Sequence, residues 1–351
     1  MRRKSLILLC AAATVALSAC GGSNTETTTA APAATEAAQE KTEAADTTAA
    51  ESEAAGDWEW ERDIEMVCTF DVGSGTDTTL RAILPLVEKK LGVNIVINNV
   101  SGASGVNGAE YFAQQPADGY TYSMYTPSHL IAAQNGTTSF DILNETEPVI
   151  RLVQDSNVIY GNMDLPFDDF PGMVEYAKAH PGELTLSLQS ISGIDAVSCQ
   201  DLFNTAGIDV TLVAADGSEA YAMVIGGHAD LTLGSPCDGM EYCAAKQLKG
   251  IVLMADERSS VLPDIQTTVE CGYDCTIGPW RGIVAMKGTP QAAIDSLEAA
   301  FADVCQNDPE WEAWKEANGL NDREGYATQE EFKKIWYEYY DTIGEVLKAG
   351  Q

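Results

Sequence analysis

The chain has 351 residues, of which 45% are hydrophobic and 21% charged, and its 53 Asp and Glu against 20 Lys and Arg give a formal charge of −33. Such a balance excludes nucleic acid, which needs basic surface, and it leaves any anionic ligand to be held by local dipoles against the global field. The part after Asp57 exceeds the roughly 250 residues that one core usually serves, which predicts two lobes.

Arg2, Arg3 and Lys4 precede an apolar run from Leu6 to Leu17 that is too short to span a bilayer. Leu17-Ser18-Ala19-Cys20 followed by Gly21 resembles a bacterial lipobox. The resemblance implies a signal segment over 1–20, cleavage before Cys20, and a lipid on its thiol that anchors the protein to the outer face of the cell membrane. Residues 21–57 are dominated by Thr, Ala and Glu and contain no aromatic residue. They cannot bury enough apolar surface to offset ordering entropy, so a disordered linker is expected there.

The folded chain opens on a strand, Met66 to Phe70. A helix follows, with Leu80, Ile83, Leu84, Val87 and Leu91 on one face. Between them Gly73 and Gly75 give a backbone that can approach a ligand closely, and Thr76 or Asp77 can cap the helix. Strand, glycine loop and helix N-terminus together form a socket of N–H donors suited to a carboxylate. Pro85 should kink or shorten the helix. Asn94 to Ile97 reads as a strand, Asn98 to Glu110 as a second glycine loop entering a helix, Tyr120 to Tyr125 as a strand, and Thr126 to His129 as a polar loop at its end. Strands alternating with helices predict a parallel, doubly wound sheet, with the ligand beyond the carboxyl ends of the strands.

The run from Glu147 to Asn162 has strand character and crosses to the second lobe. There a helix spans Pro166 to Ala179, strands span Leu184 to Leu188, Asp209 to Ala214 and Asp230 to Leu233, and small polar residues follow each strand: Ser190, Ser192 and Gly193; Asp216, Gly217 and Ser218; Ser235. Ile251 to Ala255 is a further strand, and the segment from Arg258 to Glu270 returns the chain to the first lobe. A last strand, Trp280 to Met286, precedes two amphipathic helices, Gln291 to Gln306 and Thr328 to Lys348. The lobes are thus expected at 58–157 with 258–351, and at 158–257. Trp336, Tyr337, Tyr339 and Tyr340 read as packing residues.

Seven cysteines follow the linker: Cys68, Cys199, Cys237, Cys243, Cys271, Cys275 and Cys305. An odd number leaves at least one thiol unpaired within the chain. Cys271 with Cys275, or Cys237 with Cys243, could pair or contribute to a metal site, but neither has zinc-knuckle spacing; free, mostly buried thiols fit better. No metal or cofactor is expected.

Several stretches in order resemble the extracytoplasmic solute receptors of the tripartite tricarboxylate transporters, the TctC or Bordetella uptake gene (Bug) family. They are Thr69-Phe70-Asp71-Val72-Gly73-Ser74-Gly75-Thr76-Asp77, Asn99-Val100-Ser101-Gly102-Ala103-Ser104-Gly105, Ala117-Asp118-Gly119-Tyr120-Thr121, Tyr176 to Gly182, Gly226 to Asp230, Trp280-Arg281-Gly282 and Lys287-Gly288-Thr289-Pro290. The resemblance implies a periplasmic-binding-protein-like, type II Venus-flytrap fold of two α/β lobes, each a doubly wound mixed sheet with flanking helices. It implies a receptor that closes on a small carboxylate-containing solute and delivers it to a large and a small integral-membrane permease subunit. The ligand residues it implies are Gly73, Ser74, Gly75, Thr76, Asp77, Thr126 and Ser128 from the first lobe. From the second come Ser190, Ser192, Gly193, Asp216, Gly217, Ser218 and Ser235. Asp71 and Asp216 depart from the family pattern; facing the cleft, they would repel a second anion and favour a cationic, zwitterionic or neutral solute.

Two other functions need different features. A ligand sensor feeding a membrane kinase would use the same cleft. A surface hydrolase would need more than His129, His180 and His228, since the chain has no Gly-x-Ser-x-Gly elbow and no HExxH. Gly73-Ser74-Gly75 lacks the lysine of a P-loop and the third glycine of a dinucleotide fingerprint.

Overall fold

The computed structural model describes residues 58–215 and 217–349. The expected signal segment with Cys20, the linker over 21–57 and Asp216 lie outside the described residues. In chain order come β1 (Ile64–Cys68), α1 (Gly75–Leu91), β2 (Ile95–Asn99), α2 (Val106–Ala113), β3 (Thr121–Tyr125), α3 (Pro127–Gln134), the short α4 (Ile142–Glu145) and β4 (Thr146–Gln154). After Asp155 and Ser156 follow β5 (Asn157–Asn162), α5 (Phe170–Ala179), β6 (Thr185–Leu188), α6 (Ile194–Ala206), β7 (Thr211–Ala214), α7 (Gly217–Ile225), β8 (Leu231–Gly234), α8 (Pro236–Ala244) and β9 (Leu248–Met254). Then come β10 (Trp280–Met286), α9 (Gln291–Asn307), α10 (Pro309–Ala317) and α11 (Gln329–Ala349).

The strands form two five-stranded sheets, ordered β2-β1-β3-β10-β4 and β7-β6-β8-β5-β9. In each, three strands linked through helices run parallel, and one strand arriving from the other half inserts antiparallel: β10 between β3 and β4, β5 between β8 and β9. The fold is therefore a two-lobed α/β architecture of mixed sheets. Each sheet is covered on both faces, which explains its near-continuous apolar strands, such as the fully buried Val149, Ile150 and Val153 of β4.

Local chemistry explains where elements begin and end. Ser74 caps α1 by accepting from the Asp77 amide at 3.2 Å, so the cap is neither Thr76 nor Asp77. Gly92, at φ +71°, ends the helix by donating to the Glu88 carbonyl. α1 runs through Pro85 to Leu91, against the expectation of a break. Pro85 and Arg81 lie on the exposed face, where water can take the carbonyl that loses its donor, while Ile83, Leu84, Leu86 and Val87 anchor the other face in the core. β1 begins two residues earlier than predicted, because Ile64 already pairs with Ile95 of β2.

Thr126 to His129 is no loop: Thr126 caps α3 and Pro127 opens it. The same chemistry, Asp308 and Pro309, starts the unpredicted α10. The chain also returns to the first sheet later than residue 258. Thr267 bridges to Leu253 of β9, Ile265 and Cys275 pack into second-lobe clusters, and the crossing is made near Pro279, whose carbonyl accepts from the Asp155 amide at 2.8 Å. The two crossovers therefore lie side by side, tied by Arg323, which donates to the carbonyls of Asp155 and Thr276.

One helix belongs to both halves. Ala196, Cys199, Leu202 and Phe203 of α6 pack into the second-lobe core, while Ile194 and Val197 enter a cluster with Tyr125, Leu130, Trp280 and Trp336 of the first. All seven cysteines named above are unpaired, with Cys68, Cys199, Cys275 and Cys305 buried. Burial pushes the Cys68 and Cys275 thiols up to about 11, so both stay protonated. Among the described residues no helix is long and apolar enough to cross a membrane.

Candidate functional site

Every helix that starts at the carboxyl end of a parallel strand aims its N-terminus towards the side where the sheets cross over, the usual ligand side of such sheets. In the first lobe, β1 feeds the loop Thr69 to Ser74. Gly73 stands at φ +85°, a conformation a Cβ would strain, and its amide donates to Asp77 Oδ2 at 2.9 Å. Asp77 Oδ2 also accepts from Arg81 Nε at 2.8 Å, and Asp77 Oδ1 accepts from Arg81 Nη2 and Asn99 Nδ2, each at 2.9 Å. Four donors use the whole acceptor capacity of the carboxylate. Led by the Arg81 hydrogen bonds, they hold Asp77 down at about 2, although burial opposes them. Asp77 thus holds the loop in shape and has no lone pair free for a ligand, unlike the role the motif suggested.

The amides of Gly75 and Thr76 have no acceptor among the described residues; they are the donors this loop presents. Asp71 is exposed, and its carbonyl closes the turn by accepting from the Ser74 amide at 3.0 Å. Behind the loop, Asn99 Nδ2 also donates to the Phe70 carbonyl at 3.1 Å.

Thr126 and Ser128 stand at the start of α3, steadied by His129. Its ring is buried and stacks on Tyr125 with centroids 3.9 Å apart, meets Phe70 edge-on, and accepts at Nδ1 from the Thr126 amide at 3.1 Å. Desolvation lowers His129 to about 4, so it is neutral. A Cβ on Gly105 would lie 2.7 Å from His129 Nε2, so only glycine lets the second glycine loop close over the ring. His129 is a strut joining three loops and has no access to a substrate.

From the second lobe, Ser190 and Ser192 pair through their hydroxyls at 3.3 Å, and Gly193 caps α6 without a side chain. Ser235 caps α8 by accepting from the Asp238 amide at 3.2 Å, and its carbonyl receives the Tyr160 hydroxyl. Gly217 and Ser218 open α7.

Sequence reasoning missed the floor between these walls. Arg281 of β10 reaches the first residue of α1, where a Cβ on Gly75 would meet its Nη2 at 2.8 Å, and its guanidinium lies 3.7 Å from the Asp155 carboxylate at the crossover. Burial pushes Asp155 up to about 6 against the pull of Arg281, and the charges of Asp238 and Asp195 push the same way. Asp195, in the first turn of α6, is likewise raised by burial, and its Oδ1 accepts from Asn157 Nδ2 at 3.1 Å. The N-terminal turns of α1, α6 and α8 therefore meet around one hinge carboxylate. The only hint in the sequence was the charged residue within Trp280-Arg281-Gly282. A separate groove of about 590 Å³, lined by Trp60, Arg62, Pro85 and Gly92, lies at the opposite, amino ends of the strands, with the C-terminus of α1 beside it.

Comparison with known proteins agrees with this architecture. The family model "Tripartite tricarboxylate transporter family receptor" matches residues 80–348. Protein BugT of Bordetella pertussis is 26% identical over 252 residues, which is 70% of this chain and 77% of BugT. Among solved structures, a periplasmic transporter superposes with a TM-score of 0.69 at 28% identity, covering 82% of this chain and 97% of that one. Two proteins of Rhodopseudomonas palustris share the fold: MatC with bound malate (TM-score 0.67, 22% identity, 82% and 99% covered) and Rpa4515 with adipate (TM-score 0.69, 23% identity, 82% and 97% covered).

Proposed function

The chain belongs to the tripartite tricarboxylate transporter receptor family, and from that membership we propose that it captures a small carboxylate-bearing solute between its lobes and hands it to a two-subunit membrane permease. As a receptor of this family it is an extracytoplasmic solute-binding protein and not an enzyme. The observation that carries the proposal is the meeting of the α1, α6 and α8 N-termini around the Asp155 crossover, with the Gly75 and Thr76 amides unpaired. Helix N-termini hold carboxylates by aligned N–H donors and need no net positive charge on the protein. Such donors suit an anion even on a chain of charge −33.

In this reading Gly73, Ser74, Gly75 and Thr76 with Thr126 and Ser128 form one jaw. Ser190, Ser192, Gly193, Gly217, Ser218 and Ser235 form the other, with Asp71 at the rim. Lipidation at Cys20, followed by the linker, keeps the receptor at the outer face of the cell membrane beside its permease. Malate and adipate, the solutes of two structural neighbours, set the size class for a first screen. A thermal-shift screen of carboxylates, amino acids and aromatic acids on the purified protein tests the proposal: one small solute should raise the melting temperature at micromolar concentration. A complete lack of response across the screen would refute capture of a small carboxylate.

A further inference from the structure

The floor of the cleft carries charge of both signs, and its arrangement bears on which carboxylate fits, given the receptor reading above. Arg281 lies one step from the crossover, paired with Val153 of β4, and the β10–β4 register slips between Arg281 and Gly282. Such a bulge re-aims the side chain beside it. Here the guanidinium is turned onto the first turn of α1, against Gly75, and only 16% of the side chain remains exposed. Its nearest counter-charge, Asp155 Oδ2 at 3.7 Å, is beyond hydrogen-bond reach, and among the described residues it has no hydrogen-bond acceptor. A planar group with five donors is thus largely withdrawn from water beside the unpaired Gly75 and Thr76 amides.

Asp155 is the mirror case. Its side chain is 12% exposed, and one oxygen accepts from the neighbouring Ser156 amide at 2.8 Å. Across the lobe boundary Asp195 has, among the described residues, a single side-chain donor, Asn157. Two carboxylates poor in donors thus flank the crossover, Asp155 on it and Asp195 bonded to Asn157 two residues further on, and Asp155 lies next to a guanidinium without an acceptor. A dicarboxylate would satisfy the guanidinium and add a second negative charge to the acids. A solute with one carboxylate and one ammonium satisfies both.

We propose that Arg281 and Asp155 are the charge-reading pair of the cleft: Arg281, with the Gly75 and Thr76 amides, takes the solute carboxylate, Asp155 with Asp195 takes an ammonium, and the solute is a zwitterion of the amino-acid class. Charge-assisted bonds in a site of low water content are the strong ones, so both ends contribute to affinity and the acids reject the wrong partner.

The test is a binding panel on the purified protein, the twenty common L-amino acids against succinate, malate and adipate, read by thermal shift and calorimetry. At least one amino acid should bind more tightly than every dicarboxylate. Arg281→Gln should weaken that solute by about tenfold or more. Asp155→Asn should move the preference between amino acid and dicarboxylate by about tenfold towards the dicarboxylate. Gly75→Ala, which displaces the guanidinium and keeps its charge, should weaken the amino acid as Arg281→Gln does, and it serves as the second variant if Arg281→Gln does not fold. A wild-type protein that prefers a dicarboxylate, or folded variants that keep the wild-type ranking and affinities, would overturn the pair while leaving the receptor reading intact. A wild-type protein that answers to nothing would overturn both.

Discussion

Two buried aspartates on the ligand side of the same lobe boundary behave in opposite ways. Asp77, with its side chain 1% exposed, accepts four hydrogen bonds and sits at about 2; Asp155, 12% exposed, has its neighbour's amide and a guanidinium out of bonding range, and sits at about 6. At Asp77 the donors, led by Arg81, outweigh desolvation; at Asp155 desolvation outweighs the one amide and the distant guanidinium. A carboxylate surrounded by donors is finished structure, and one left short of donors is open to a partner from outside.

Removing the finished one should have the largest effect. Asp77→Ala leaves the Gly73 amide and Arg81 without this acceptor and Asn99 with the Phe70 carbonyl alone, which should cost about 3 kcal/mol and lower the melting temperature by roughly 6–10 °C. Because folding depresses the Asp77 pKa, its contribution is full above the unfolded value of 3.8 and is lost as pH falls through about 2. The gap between wild type and variant in urea titrations should close over that range. An unchanged melting temperature at neutral pH would break the comparison.

Asp155 should show the opposite sign and a smaller size. Its pKa is raised on folding, so its contribution to stability is full below 3.8 and is lost as pH rises through about 6. Lowering the pH from 7 to 4.5 without solute should raise the melting temperature by roughly 2–4 °C relative to Asp155→Asn, whose profile should be flatter over the same range. Two parallel profiles would mean that Asp155 finds donors in solution and is as finished as Asp77. The smallest effect belongs to Arg81→Ala. Half of that side chain is exposed, so its loss should cost less than about 1 kcal/mol by denaturant titration, even though it supplies two of the four bonds.

The same contrast separates what the sequence made legible from what it hid. Strands, glycine turns and cap residues are written in contiguous residues, so the βα loops of both lobes could be read directly. The Arg81–Asp77 contact was visible as an i,i+4 pair, but Asn99 completes it from another strand, and nothing local announces that the carboxylate is thereby used up. Arg281 meets Asp155 only because β10 pairs with β4 across a long stretch of chain. α3 escaped because Leu130, Ile131 and Ala132 are buried together and leave no polar face to give a period of 3.6, although Thr126-Pro127 was a start signal in plain view. The segment 258–275 follows the second lobe without a regular strand or helix of its own, so no periodicity marked where the chain turned back.

The double membership of α6 has a kinetic consequence. For the lobes to part, Ile194 and Val197 must leave their apolar seat against Leu130, Trp280 and Trp336. Exposing two such side chains costs about 3–5 kcal/mol, which holds the gaping form to roughly one molecule in a hundred or fewer when the cleft is empty. A solute that enters only through that form associates more slowly, by the same factor, with its equilibrium affinity unchanged. The latch that slows its entry also slows its escape. Two aliphatic side chains that join the halves thus resist the parting of the lobes.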